Sequence, residues 1–178
     1  MKKRFFITLF LSILILASCS NGNSNNDGAT NNPQEDDIKD LVASYSGDKS
    51  SKQEASITGT QLIVTEENGT ETTYPLPEDE FFVSIAPFKD ETHPCTNHSL
   101  TGCQGELTSE TFEVYVEDSE GNVVYQNLMS TGENGFIDLW LPRNDTFSVS
   151  ITQENEQAET EISTYDDSPT CITTMQLG

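Results

Sequence analysis

The chain has few basic residues, few histidines and few cysteines. Its 178 residues include 8 Lys and Arg against 30 Asp and Glu, with 2 His and 4 Cys. Three of the basic residues lie at positions 2–4, so residues 19–178 alone carry a net charge of about −25. A chain this acidic repels the phosphates of nucleic acids and of anionic lipids, and we therefore expect no nucleic-acid partner.

Motifs of common enzymes and ion sites are also missing. The sequence contains no phosphate-binding glycine loop, no G-x-S-x-G and no H-E-x-x-H, which are motifs of nucleotide-binding proteins, hydrolases and zinc proteases. It also lacks the D-x-D-x-D-G pattern of calcium loops. These absences predict a protein that is not an ordinary enzyme.

The first residues have the layout of a secretory signal. A basic stretch at positions 2–4 precedes an apolar run at 5–16 that is too short to span a membrane permanently. The sequence Leu16-Ala17-Ser18-Cys19 then resembles a bacterial lipobox. The resemblance implies cleavage after a signal peptide at 1–18, lipidation of Cys19 with acyl chains such as palmitate, and extracytoplasmic anchoring to the bacterial membrane. A plain signal peptide with an incidental cysteine is the alternative.

Three regions follow the signal peptide. Residues 19–37 are mostly Asn, Ser, Gly and acid, which is typical of a disordered acidic tether. We predict a helix and strands in residues 38–90, and a metal-binding loop with a β-sandwich in residues 91–178. The helix is indicated by helically spaced apolar residues, a capping Asp and a terminating Gly: Ile38, Leu41, Val42, Tyr45, Asp36 or Asp37, and Gly47.

Beyond this helix the pattern is mostly that of strands. Short apolar runs recur at 61–64, 72–74, 81–85, 112–116, 123–125, 136–141 and 147–151, separated by turns such as Asn68-Gly69. This spacing favours an antiparallel sandwich. Gly121-Asn122, Gly135-Phe136 and Trp140-Leu141-Pro142 resemble turns and strand ends of prealbumin-like domains. We predict an α+β, mostly β fold: a short N-terminal helix with strands, packed on a C-terminal antiparallel prealbumin-like β-sandwich.

Soft metal ligands are concentrated in one segment. Both histidines and two cysteines lie in His93-Pro94-Cys95-Thr96-Asn97-His98-Ser99-Leu100-Thr101-Gly102-Cys103, and Cys171 lies near the C-terminus. Thiolates with imidazole favour Cu(I) or Zn(II) over Ca²⁺ and Mg²⁺. Structural zinc is the weaker candidate because paired C-x2-4-C knuckles are absent. The candidate metal ligands are Cys95, Cys103, Cys171, His93 and His98.

The odd number of cysteines leaves alternatives open. Beyond Cys19 there are three, so at least one is a free thiol, a metal ligand or an intermolecular partner. One alternative is a disulfide-braced extracellular interaction module without metal, with a Cys95–Cys103 or Cys103–Cys171 bond and a spare buried cysteine. A catalytic thiol is another. Alternatively, two thiols reduce Cu(II) and close a disulfide, leaving Cu(I) on the remaining soft donors.

The ligand-rich segment, continued through Gly105-Glu106-Leu107, resembles the CueP family of extracytoplasmic copper-binding proteins. Further matching motifs are Leu76-Pro77, Phe82-Val83-Ser84-Ile85-Ala86-Pro87-Phe88, Gly135-Phe136, Leu139-Trp140-Leu141-Pro142-Arg143 and Asp167-Ser168-Pro169-Thr170-Cys171-Ile172-Thr173-Thr174.

This resemblance implies copper binding outside the cytoplasm for copper tolerance, reduction of Cu(II) by thiols, and delivery to an exported client such as a superoxide dismutase. Cys95, Cys103 and Cys171 carry over as copper-thiolate positions, and His93 and His98 as motif residues. The lipobox and the long tether differ from a freely soluble periplasmic protein, so surface sequestration of copper is an alternative to delivery.

Overall fold

The computed structural model describes residues 35–178, in which one helix precedes eleven strands. The elements are α1 (Glu35–Tyr45), β1 (Glu54–Ile57), β2 (Gln61–Thr65), β3 (Glu71–Pro75), β4 (Glu80–Ile85), β5 (His98–Ser99), β6 (Thr111–Glu117), β7 (Val123–Ser130), β8 (Ile137–Pro142), β9 (Thr146–Gln153), β10 (Glu156–Ser163) and β11 (Cys171–Ile172). The predicted signal peptide, the lipidation of Cys19 and most of the predicted tether lie outside the described residues. Within the described range, no helix has the length and apolar character needed to cross a membrane.

The strands form three sheets. The first has the order β3-β2-β1-β5, the second β10-β9-β6-β7 and the third β11-β4-β8. Every pairing between named strands is antiparallel except that of β11 with β4, which is parallel. The mostly β fold with a short N-terminal helix is therefore confirmed, with one parallel pairing that the sequence did not predict.

Strand β4 contributes to two apolar cores. Phe81, Val83 and Ile85 pack in the cluster that includes buried residues of β8, in the same sheet, and of β6 and β9, in the second sheet. Phe82 points the other way, into the cluster that α1 forms with β1 and β2. An apolar run without polar alternation is typical of a strand that is buried on both faces. This strand lies before the predicted boundary near residue 90 and pairs with β8 beyond it.

A partly buried carboxyl group connects the end of the helix to this sheet. Asp138 lies opposite Ser84 in the β4–β8 register and accepts hydrogen bonds from the hydroxyls of Ser46 and Ser84. Burial raises the pKa of Asp138, and the two hydroxyl bonds oppose that rise. Ser84 also lies opposite Cys171 in the β4–β11 register, so the carboxyl group supports the strand that pairs with Cys171.

The sequence located the main elements but missed several boundaries. The helix ends before Gly47, whose φ of 76° supplies the predicted stop. Asp36 and Asp37 already lie within the helix, which spans Glu35–Tyr45, so the predicted cap at either residue was wrong. Strands β1, β5, β10 and β11 were not predicted. The acidic strand β10 buries only two apolar side chains, and its extent follows from eight paired residues along β9.

Candidate metal centre

Cys171 is held by parallel pairing at the edge of the three-stranded sheet. The backbone N–H of Ser84 donates to the carbonyl of Thr170 at 2.9 Å, and that of Ala86 donates to Ile172 at 2.8 Å. The Cys171 side chain is buried and packs beside Ala86. Two bonds flanking the residue therefore fix the direction of its thiol.

The loop that ends at His98 is bonded to the same segment. The carbonyl of Thr96 accepts from the backbone N–H groups of Thr170 and Cys171, at 2.9 and 3.1 Å. The backbone N–H of His98 donates to the Thr170 hydroxyl at 3.0 Å, and this hydroxyl donates to the carbonyl of Ile57 at 2.7 Å. Thr170 is fully buried, so its hydroxyl links β1, β5 and the Cys171 segment where water does not compete.

Cys103 reaches the same place from a turn after β5. Its backbone N–H donates to the carbonyl of Ser99 at 3.0 Å. Two residues later, the backbone N–H of Gly105 donates to the carbonyl of Asn134 at 2.7 Å. A Cβ atom on Gly105 would lie 2.5 Å from the carbonyl oxygen of Gly135, so only glycine fits this close approach. The segment after Cys103 is therefore tightly packed.

These segments bring four of the five predicted ligands together. The ligand atoms of Cys95, His98, Cys103 and Cys171 all lie within 4.8 Å of one another. A disulfide joins Cys95 to Cys171, and Cys103 is the free cysteine of residues 35–178. The Cys103 sulfur is 3.7 Å from the Cys95 sulfur. Both disulfide pairings considered from the sequence, Cys95–Cys103 and Cys103–Cys171, were therefore wrong.

The ring of His98 is buried, with a relative exposure of 0%. Neither Nδ1 nor Nε2 has a hydrogen-bond partner among residues 35–178. The ring packs against Phe136, with centroids 4.5 Å apart, and against Phe82 at 6.4 Å. Burial lowers the pKa of His98 to about 4, and the charge of His93 contributes to the same effect. The imidazole is therefore neutral at physiological pH, which is the form that donates a lone pair to a metal.

Such a donor set fits a soft metal ion. Buried polar groups are normally hydrogen-bonded, and an orphaned one costs about 1–3 kcal/mol. A metal bound to His98 beside the sulfurs would give one orphaned nitrogen a partner. The chemistry of thiolates with one imidazole favours Cu(I) or Zn(II) over hard cations.

The remaining predicted ligand, His93, lies outside this four-residue group. Its ring is half-buried and contacts the edge of Phe136, with centroids 6.4 Å apart. It also lines a surface cavity of about 290 Å³ together with Glu91 and Glu106. The structure therefore distinguishes two histidines that the sequence motif presents as equals.

Comparison with known proteins identifies the family of this chain. A family model described as "Periplasmic copper-binding protein CueP" matches residues 37–176. The chain belongs to the CueP family. The crystal structure of S.CueP matches with a TM-score of 0.75 and 40% sequence identity, covering 79% of this chain and 88% of that chain. A comparison with curated proteins gave no match. The copper-binding family and the extracytoplasmic setting predicted from the motifs are thus confirmed.

Several residues that shape the centre of this CueP-family protein were not identified from the sequence as functional. Thr170 and Thr96 hold the loop and the Cys171 segment together, and Phe136 forms an apolar wall beside His98. Their positions in the sequence could have identified them. Thr170 and Thr96 each adjoin a cysteine of a recognised motif, and Phe136 lies in the Gly-Phe motif.

Proposed function

We propose that the reduced protein, in which the Cys95–Cys171 disulfide is open, holds Cu(I) through the thiolates of Cys95, Cys103 and Cys171 and the imidazole of His98. The observation that carries the proposal is a neutral, orphaned imidazole placed within 4.8 Å of three sulfurs. Three soft donors and one intermediate donor suit Cu(I). His93, which lies outside this four-residue group and lines a surface cavity, is a candidate for a role in copper entry rather than in ligation.

We also propose stoichiometric reduction of Cu(II) by this site. Two thiolates each give one electron to one Cu(II), which yields two Cu(I) ions and one disulfide. The Cys95–Cys171 disulfide is one product that such a reaction can form, with Cys103 and His98 remaining as donors. The electrons come from the protein's own thiols, so the proposed reaction yields one disulfide per pair of thiols oxidised.

Membrane anchoring through lipidated Cys19 completes the proposal. The lipobox-like Leu16-Ala17-Ser18-Cys19 supports it, and residues 19–37 would tether the copper domain. The Cys19→Ser variant is expected to lose incorporation of labelled palmitate and to leave the membrane fraction. Wild-type copper affinity of its folded domain serves as the control. Membrane retention of the variant without acylation would contradict lipid anchoring.

The physiological role that follows is copper tolerance or delivery to an exported copper enzyme such as a superoxide dismutase. The strongly acidic surface concentrates cations near the site and disfavours nucleic acid. A tethered domain can hand copper to a client or sequester it at the surface. These two roles differ in one observable, which is whether an apo-enzyme client gains activity when mixed with the copper-loaded protein.

A titration of the fully reduced mature chain with Cu(I) tests the proposed site. In competition with a Cu(I) chelator, we expect about one tightly bound Cu(I) per chain, held by the thiolates. The oxidised chain, with Cys95 and Cys171 in a disulfide, is the matched control and should bind much more weakly. Equal affinity of the two forms would contradict thiolate ligation.

The disulfide also favours a second function, an extracellular interaction module that is braced by the Cys95–Cys171 bond and binds no metal. Such a module would have one free thiol, Cys103, and a melting temperature that copper leaves unchanged. A ligand that binds only the folded state raises apparent stability. A rise in the melting temperature of the reduced chain with Cu(I) therefore favours the copper site over the braced module.

A further inference from the structure

The Gly105-Glu106-Leu107 motif contains a carboxylate that the copper site does not use. Oε2 of Glu106 accepts hydrogen bonds from three consecutive backbone N–H groups, those of Lys89, Asp90 and Glu91, at 2.8, 3.0 and 3.1 Å. These three bonds lower the pKa of the Glu106 carboxyl, which is therefore charged at neutral pH. Charge-assisted bonds of this kind are about twice as strong as neutral ones.

The three bonded amides lie on the segment that leads into the Cys95 loop. At its start, Phe88 is held by backbone bonds with Met175 and Leu177. Beyond the three amides, the Thr92 hydroxyl donates to the carbonyl of Thr173 at 2.8 Å, and the exposed loop then continues to Cys95. The Glu106 bonds therefore control the course of the chain just before the loop.

Glu106 itself projects from the tightly packed segment that carries Cys103. Its neighbour Gly105 is fixed by its bond to Asn134 and by the close approach to Gly135. The carboxylate lies three residues after Cys103, and the amides that it binds lie four to six residues before Cys95. One side chain thus connects the rigid segment of one sulfur to the loop of the other.

We propose that Glu106 is a positioning residue of the copper site, which clamps the segment leading to Cys95 against the segment carrying Cys103. This role rests on the proposed copper function. A clamp of this kind orders the loop before the metal arrives, so less conformational entropy is lost on binding. Residues that orient metal ligands without touching the metal typically change its affinity about 10–100-fold when they are mutated.

Two substitutions of Glu106 and one control test this role by Cu(I) competition on the reduced chain. Glu106→Ala removes all three bonds and should lower the affinity about tenfold. Glu106→Gln keeps a neutral acceptor and should lower it less. Glu133→Gln removes one exposed carboxylate charge outside the clamp and should leave the affinity unchanged. Equal losses in Glu106→Ala and Glu133→Gln would overturn the proposal, because charge alone would then explain them.

A double-mutant cycle with Cys95→Ser distinguishes positioning from general destabilisation. Because the clamp acts through the Cys95 loop, Glu106→Ala should have little further effect on copper affinity once Cys95 is replaced. Without copper, the backbone amides of Lys89, Asp90 and Glu91 should exchange faster in Glu106→Ala than in wild type. If Glu106→Ala lowered the Cu(I) affinity as much in the Cys95→Ser background as in wild type, the positioning role would be overturned. Unchanged hydrogen exchange at these amides would also overturn it.

The wild-type result separates this inference from the proposed function. If the reduced wild type fails to bind Cu(I), the proposed function is contradicted and the positioning role fails with it. If the wild type binds tightly and Glu106→Ala binds equally tightly, only the positioning role is overturned.

Discussion

Replacing Cys171 with serine is expected to lower the Cu(I) affinity of the reduced protein by about two orders of magnitude. Loss of a residue that only orients a metal ligand typically lowers metal affinity about 10–100-fold, and loss of a ligand should cost at least as much. The Cys171 sulfur is buried beside the sulfurs of Cys95 and Cys103, and a serine hydroxyl is a hard donor that Cu(I) disfavours. Chelator competition on the folded, reduced variant measures the change.

The neighbouring residue provides a matched control for this substitution. Ile172→Val alters the same two-residue strand without removing a ligand atom. Because Ile→Val typically costs only about 0.5–1.5 kcal/mol of stability, the variant should remain folded. Its copper affinity should remain near that of the wild type. If Cys171→Ser bound Cu(I) as tightly as Ile172→Val, the C-terminal sulfur would not be a ligand.

Replacing His98 with leucine is expected to change stability and copper affinity in opposite directions. The His98 ring is fully buried between aromatic rings with two unpartnered nitrogens, and each orphaned polar group costs about 1–3 kcal/mol. An apolar side chain of similar size removes that cost. The copper-free, reduced variant should therefore be more stable than wild type by about 1–2 kcal/mol in denaturant unfolding, while its Cu(I) affinity should fall at least about tenfold.

The second histidine serves as the control for this trade-off. His93 is half-buried and lies outside the ligand group, so His93→Leu should leave both the copper-free stability and the Cu(I) affinity close to wild type. A His98→Leu variant that loses stability without copper would contradict an orphaned imidazole. A His93→Leu variant with the larger affinity loss would reverse the assignment of the two histidines.

The residues of the site could be predicted from the sequence, but their arrangement in space could not. Clustering of soft donors at 93–103 pointed to a metal, and the motif resemblance pointed to copper. Nothing local indicated that Cys171 joins Cys95, because the link depends on pairing β11 with β4, far away along the chain. Two-residue strands such as β11 carry no periodicity from which a partner could be predicted.

The two histidines illustrate the same limit. Both lie in one motif, five residues apart, with similar polar neighbours. His98 is buried because its backbone pairs with Ile57 of β1 and is held by Thr170, contacts that join distant parts of the chain. The role of Glu106 was hidden for a related reason, since its partners are backbone N–H groups and any sequence supplies those.

X-ray absorption at the copper edge of the reduced, Cu(I)-loaded mature chain tests the central claim most directly. The account predicts coordination by about three sulfurs and one nitrogen, with one sulfur lost in Cys171→Ser and the nitrogen lost in His98→Leu but retained in His93→Leu. Coordination dominated by oxygen or nitrogen, or a spectrum that Cys171→Ser leaves unchanged, would contradict it.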